Sequence, residues 1–137
     1  MGHHTVEVVH ASDRPVHELF AELADHERLR RVFGVPVRRM RDGESEPNGV
    51  GSVRRMGVGL LKLEETVTAI DPDRSIEYRI TRGGGPVRNH RGRLEFARVG
   101  NGSRVIWTID YDSLPIVGKA LQAVLARVIK RGLGKLA

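Results

Sequence analysis

Two side chains in this sequence have the chemistry to transfer a proton inside a ligand pocket. His90 could act as a general acid or base, because histidine titrates close to working pH. Glu65 could serve beside it as a carboxylate. Each also has a structural interpretation. His90 would line a pocket and hydrogen-bond a neighbour, and Glu65 would pair with Arg54 or Arg55, as buried carboxylates usually do.

Other kinds of catalytic site do not fit the sequence. It contains no cysteine, which excludes disulfides and thiolate nucleophiles. Its six histidines, at positions 3, 4, 10, 17, 26 and 90, match no zinc-site spacing. The glycines at 83–85 lack the strand-to-helix setting and the nearby Lys-Ser/Thr of a phosphate loop. We therefore expect neither a metal nor another cofactor.

Hydrophobic periodicity and turn signals indicate the elements that must position these side chains. A first strand at 5–10 precedes two short helices, one capped by Ser12 or Asp13 and the other covering 25–33. Six further strands are expected at 35–40, 50–56, 60–70, 75–81, 88–97 and 103–112. A long amphipathic helix, capped by Ser113, covers 115–137. The order is β-α-α-β-β-β-β-β-β-α, an α+β chain with a single domain over 1–137.

The single closing helix limits the shape of the sheet. One helix cannot cover seven strands that lie flat, so we expect a curved antiparallel sheet wrapped on that helix. A sheet that curves around a helix tends to leave a hollow between them. Small-molecule pockets are built from apolar walls with a few convergent polar groups. The hollow is therefore where we expect the function.

Strand alternation identifies the residues that face this hollow. A two-residue turn at Asn101 and Gly102 predicts the pairs Phe96–Trp107, Leu94–Ile109 and Gly92–Tyr111. A turn at 71–74 predicts the pairs Ala69–Ile76, Val67–Tyr78 and Glu65–Ile80. The inner face of the sheet, which on the fourth strand begins at Leu61, is then apolar apart from Glu65, His90, Tyr78, Tyr111 and one arginine.

The two proton-transfer candidates would lie two strands apart, with roughly 10 Å between their backbones. They could flank one substrate without forming a direct dyad. Alternation leaves open whether Arg54 turns inward with Met56 or Arg55 turns inward with Val53. It is also open whether Trp107 fills the core or stacks on a ligand. The expected ligand-binding residues are Phe33, Arg55, Met56, Leu63, Glu65, Val67, Tyr78, Ile80, His90, Leu94, Trp107, Ile109, Tyr111, Leu121 and Leu125.

Charge and hydropathy limit the classes of binding partner that the sequence is expected to have. The net charge is +6, but basic and acidic residues are interleaved and aromatics make up only 4% of the chain. We therefore expect a solvated basic surface, no DNA binding and no RNA or ribosome contact. The closing helix is basic and amphipathic, yet the sheet needs its apolar face, so membrane contact would be transient at most. Because the sequence has no apolar run of signal-peptide length, a cytoplasmic location is expected. We expect the protein to be a monomer or a homodimer.

Four segments, together with the order of elements, resemble a known superfamily. They are A-S-D-R-P-V at 11–16, G-V-G-S-V-R-R at 49–55, E-E-T-V-T-A-I-D-P at 64–72 and G-S-R-V-I-W-T at 102–108. The chain resembles the START-like helix-grip (SRPBCC) superfamily, which includes Bet v 1 and the bacterial polyketide cyclase/dehydrase and lipid-transport proteins. His17 departs from it, since an aromatic residue often stands there.

The resemblance implies a seven-stranded antiparallel sheet around a C-terminal helix, enclosing a cavity for an apolar ligand. Its members include carriers, sensors and a minority of enzymes, and fold alone does not choose among them. One hypothesis is binding or transport of a lipid, isoprenoid or polyketide. The alternative is a polyketide cyclase, aromatase or dehydratase in which His90 or Glu65 moves a proton.

Overall fold

The computed structural model describes residues 1–57 and 62–136, and its elements follow the predicted order. The helices are α1 (Val16–Ala24), a 3-10 helix (His26–Leu29) that leads into α2 (Arg30–Phe33), and α3 (Pro115–Gly134). The strands are β1 (Gly2–Ser12), β2 (Val37–Arg41), β3 (Val53–Met56), β4 (Leu63–Asp71), β5 (Ser75–Gly83), β6 (Arg88–Val99) and β7 (Gly102–Ser113). The predicted inward placement of Leu61, the start of the fourth strand and the helical end at Ala137 lie outside the described residues.

The seven strands form one sheet in the order β1-β7-β6-β5-β4-β3-β2. Every neighbouring pair is antiparallel, and register shifts interrupt the β2–β3, β4–β5 and β6–β7 ladders. Such bulges bend a strand and increase its twist, which suits a sheet that curves. The predicted α+β helix-grip architecture is confirmed.

The β6–β7 hairpin is paired two residues away from its predicted register. Val99 pairs with Gly102, so the two turn residues are Gly100 and Asn101. Gly100 has a φ of 58° and supplies the left-handed conformation that such a turn requires. The observed pairs are Phe96–Val105, Leu94–Trp107 and Gly92–Ile109, so the three predicted pairs are wrong. A shift of two residues leaves every side chain on its predicted face.

The β4–β5 hairpin follows the prediction over half of its length. Val67 lies opposite Tyr78 and Glu65 lies opposite Ile80, as predicted. The predicted Ala69–Ile76 pair is wrong, because a bulge between Val67 and Ala69 places Ile70 opposite Ile76. The part of the hairpin whose pairing was predicted correctly is the part that contains Glu65.

Helix α3 packs closely against β1 and α2 at two of its glycines. The His4 ring occupies the place that a Cβ on Gly118 would take, and the Val32 carbonyl does the same at Gly132. The amide of Gln122 also donates to the carbonyl of Thr5 at 2.6 Å. No helix within 1–57 and 62–136 is long and apolar enough to span a bilayer.

The predicted side-chain caps of the helices are wrong. Helix α1 begins after Pro15 and α3 after Leu114, neither with a side-chain capping bond. Ser12 Oγ instead accepts from the Arg14 amide, and Ser113 Oγ donates to the carbonyl of Pro86 at 3.1 Å. Both serines therefore tie loops to the ends of the sheet.

Candidate functional site

The inner face of the sheet carries a buried ion pair between Arg54 and Glu65. Arg54 is 3% exposed and Glu65 6%. Arg54 Nη2 lies 2.8 Å from Glu65 Oε1, and Nε donates to the same oxygen at 2.9 Å. The β3–β4 register places the two residues directly opposite each other. In the structure, Glu65 therefore forms the ion pair with an arginine that its structural interpretation predicted.

The inward arginine is Arg54, and the predicted ligand-binding residue Arg55 lies on the outer face of the sheet. Met56 is buried on the inner face, so alternation turns Arg54 inward with it. Arg55 points outward, where its half-exposed side chain pairs with Glu64 at 2.8 Å. The chain thus holds two adjacent arginine–glutamate pairs, one on each face of the sheet.

A chain of hydrogen bonds extends from Arg54 to the loop before β3. Arg54 Nη1 donates to Nδ1 of His26 at 3.1 Å. The proton of His26 must then lie on Nε2, which donates to Ser52 Oγ at 2.7 Å, and Ser52 donates to the carbonyl of Gly49. Burial, with the charges of Arg54 and Arg39, lowers the pKa of His26 to about 3. His26 is therefore a neutral acceptor for Arg54.

The sequence analysis missed the roles of His26 and Ser52 in this cluster. His26 lies in the 3-10 helix, and both residues are fully shielded from solvent. A lone histidine in a short polar helix gives no periodic signal that it turns inward. The one available hint was that a buried arginine needs more acceptors than a single carboxylate provides.

His90 approaches the other oxygen of the same carboxylate. Asn89 has a φ of 52° beside a register shift in β6, and there His90 Nδ1 accepts a hydrogen bond from the Ile80 amide at 3.0 Å. The proton of His90 then lies on Nε2, which faces Glu65 Oε2 at 3.8 Å. That distance is longer than a hydrogen bond.

His90 and Glu65 form no direct hydrogen bond, as expected for residues that flank a substrate, but their side chains approach more closely than the two-strand separation suggests. Their backbones are separated by β5, but both side chains reach across Ile80 on the inner face. Burial lowers the pKa of His90, while Glu65 acts in the opposite direction. The structure thus brings a neutral histidine donor close to a paired carboxylate.

Tyr78 and Trp107 form the floor of the cluster. The Arg54 guanidinium lies 4.6 Å from the centre of the Tyr78 ring, a cation–π arrangement. Trp107 Nε1 donates to the Tyr78 hydroxyl at 2.8 Å, and burial raises the pKa of that hydroxyl. The Tyr78 ring also covers Gly92, where a Cβ would collide with the ring. Trp107 is fully buried, which assigns it to the core.

The other predicted ligand-binding residues fall into two groups. Some are buried in the hydrophobic core: Met56, Val67, Leu94, Ile109 and Tyr111. Others are half-buried: Phe33, Leu63, Ile80, Leu121 and Leu125. The half-buried residues keep apolar surface that a ligand could still cover.

The three concavities that are described do not include the cluster. Two of them, of about 320 and 280 Å³, adjoin at Arg55 and Lys62, and the third, of about 320 Å³, lies by His17 and Asp73. None of the three is lined by His90 or Glu65. The three concavities therefore do not lead to the cluster.

The neutral state of His26 predicts a loss of stability in acid. Its folded pKa, about 3, is below the ordinary value of 6.5, so the unfolded chain takes up the proton first as pH falls. Stability should therefore decrease from pH 6.5 towards pH 3, with a slope of up to about 1.4 kcal/mol per pH unit from this group.

Urea denaturation of the wild type and of His26→Gln across this range measures the slope. The variant should show a shallower slope, and the two proteins should run parallel above about pH 7.5. A variant with the wild-type slope would contradict the assignment.

Comparisons with known proteins agree with this architecture. The family model described as polyketide cyclase/dehydrase and lipid transport matches residues 3–137. The Zhui aromatase/cyclase from Streptomyces sp. R1128 is 18% identical with a TM-score of 0.78, over 98% of this chain and 93% of that one.

Two further solved structures share the fold at similarly low identity. Ara h 8.0201 is 18% identical with a TM-score of 0.71, over 96% of this chain and 95% of that one. A protein from Thermobifida fusca is 20% identical with a TM-score of 0.71, over 96% and 94%. No curated protein matches the sequence. At these identities the solved structures establish the fold and no more.

Proposed function

Because this chain belongs to the polyketide cyclase/dehydrase and lipid-transport family, we propose that it binds a small hydrophobic ligand, such as a lipid, isoprenoid or polyketide, between the sheet and α3. The observation that carries the proposal is the buried cluster of Arg54, Glu65 and His90 on an otherwise apolar face. Apolar walls supply affinity at about 25 cal/mol per Å² removed from water, before the costs of association. Sparse polar groups then orient the ligand.

The gap between His90 and Glu65 suits a hydroxyl group. A hydroxyl oxygen beside the pair can accept from the His90 Nε2–H and donate to Glu65 Oε2, since a hydroxyl is both donor and acceptor. A ligand carboxylate there would be repelled by Glu65. Arg54 is already engaged by Glu65 and His26. The proposed ligand is therefore an alcohol, phenol or enol with an apolar body.

The half-buried residues identify where the apolar body would lie. Leu121 and Leu125 belong to α3, and Leu63 belongs to β4; all three pack against the core. Helix α3 is fixed at its contacts with α2 and with β1, and β1 lies at the edge of the sheet, far from β4 in the strand order. We expect the ligand to enter between α3 and the β4–β5 half of the sheet.

Native mass spectrometry and titration calorimetry with matched probes test this proposal. A naphthol should bind about tenfold to a hundredfold more tightly than the methylnaphthalene of the same shape, because a hydrogen bond to a charged group contributes about 1.5–3 kcal/mol. The same preference is expected for farnesol over the hydrocarbon farnesene. A protein that binds none of these probes, or binds each pair equally, would contradict the proposal.

A variant at His90 makes the test specific to the cluster. His90→Asn keeps an oxygen that can accept from the Ile80 amide but removes the Nε2–H that faces Glu65. The variant should therefore fold and lose the preference for hydroxyl-bearing probes. His17→Asn, a change at an exposed histidine on α1, is the matched control and should keep the preference.

Cyclisation or dehydration of a polyketide is the second candidate function. It is favoured by the 3.8 Å approach of a neutral histidine to a carboxylate, and by the likeness in fold to an aromatase/cyclase. His90 would then move a proton on the substrate. This function predicts that His90→Asn abolishes turnover of a polyketide-type substrate while much of the binding remains. Unchanged turnover would remove His90 from the mechanism.

A further inference from the structure

The outward face of α3 carries exposed aliphatic side chains and positive charges. Three aliphatic residues are exposed just before the helix and in its first half: Leu114 at 56%, Ile116 at 85% and Val124 at 55%. Five cations lie along the helix and at its end: Lys119, Arg127, Lys130, Arg131 and Lys135. All five are exposed. The sequence from 113 to 137 contains no acidic residue.

This face remains open after the fold has used the helix. The residues that seat α3 are Gly118, Gln122 and Gly132, together with the buried Ile129 and Leu133. At 100° per residue, these lie on the side of the helix opposite Ile116, Arg127 and Arg131. Among the described residues, no ion pair joins the five cations to a carboxylate. The outward face therefore has no partner within the described part of the chain.

The exposed aliphatic residues lie just before α3 and in its first half, where Lys119 is the one cation, and the other four cations follow from Arg127 onward. A tilted helix with this pattern can place its N-terminal end among acyl chains while its cations meet phosphate groups.

We propose that the outward face of α3 docks reversibly on an anionic phospholipid surface, with Leu114, Ile116 and Val124 inserted and the cations on the headgroups. A second copy of the chain fits poorly, since two such faces would oppose like charges. Nucleic acid fits poorly as well, because the exposed apolar side chains are aliphatic and offer no stacking surface. This inference does not depend on the proposed ligand site.

Flotation with vesicles tests the proposal. The protein should float with vesicles of phosphatidylcholine mixed with phosphatidylglycerol, much less with phosphatidylcholine alone, and less as salt rises. Arg127→Gln/Lys130→Gln/Arg131→Gln should weaken binding on the order of a hundredfold, at about fivefold per cation. The matched control removes the same charge elsewhere, as Arg74→Gln/Arg98→Gln/Arg104→Gln, and should bind more than tenfold better than the α3 triple variant.

Insertion can be measured separately from charge. Because the chain has no cysteine, a single Ile116→Cys can carry an environment-sensitive NBD dye. Its fluorescence should shift to the blue with anionic vesicles, whereas the same dye at Arg98→Cys should not shift. Equal loss in the two triple variants, an unshifted dye at position 116, or binding to polyglutamate or RNA without vesicle binding would overturn the proposal.

Discussion

Arg54→Met is expected to lower the free energy of unfolding by about 3–5 kcal/mol, because it leaves Glu65 buried without its partner. It also removes the donor that His26 accepts from and the cation above Tyr78. Urea denaturation followed by circular dichroism measures the effect.

The neighbouring pair on the outer face provides a matched control. Arg55→Met breaks the Arg55–Glu64 pair, which is of the same type and one residue along, but partly exposed. It should change stability by about 1 kcal/mol or less, as exposed ion pairs usually do. Equal effects of the two substitutions would contradict the buried placement of Arg54.

A double variant separates the charge from the space that it fills. Arg54→Met/Glu65→Leu removes both members of the buried pair and should recover much of the stability lost in Arg54→Met, since an apolar replacement for a buried pair is often tolerated. If the proposed function is correct, the double variant should fold but lose its preference for hydroxyl-bearing probes. Stability and recognition would then be measured in the same molecule.

Gly132→Ala is expected to lower the free energy of unfolding by about 1–3 kcal/mol, although alanine is the better helix former. A Cβ at this position would collide with the carbonyl and Cα of Val32, and backbone atoms cannot rotate away as a side chain can. The contact between α2 and α3 would have to open. Thermal and urea denaturation measure the loss.

Gly134→Ala is the control for helix propensity. Both glycines lie in α3, and no atom lies within 4 Å of a Cβ built at Gly134. The substitution should leave stability unchanged or raise it by up to about 1 kcal/mol. A destabilisation as large as that of Gly132→Ala would show that the helix end, and not the contact with Val32, is the sensitive feature.

Most of the fold could be predicted from the sequence because it depends on local pattern. Alternation has a period of two, so it assigns a face even where the register is wrong. The β6–β7 pairs were misplaced by two residues, yet Leu94, Trp107 and Ile109 all lie on the predicted inner face. The register itself depended on whether Gly100 or Gly102 takes the positive φ, and both glycines satisfy the turn pattern.

The candidate site was only partly predictable. Glu65 and His90 stood out as polar residues on an apolar face, and both belong to the cluster. The inward arginine could not be chosen, because β3 has only four residues and carries adjacent arginines. Its orientation is set by pairing with β4, which places Arg54 opposite Glu65.

The sequence alone therefore determined the order of elements, the inner face and the two titratable residues on it, since these follow from periodicity and residue type. Only the tertiary structure decided the contacts made at long range. It placed His26 beside Arg54, closed the distance from His90 to Glu65 to 3.8 Å, and seated α3 so that a basic and aliphatic face remains outward. Those contacts depend on strand register and helix packing, which join residues far apart in the chain and leave no local pattern.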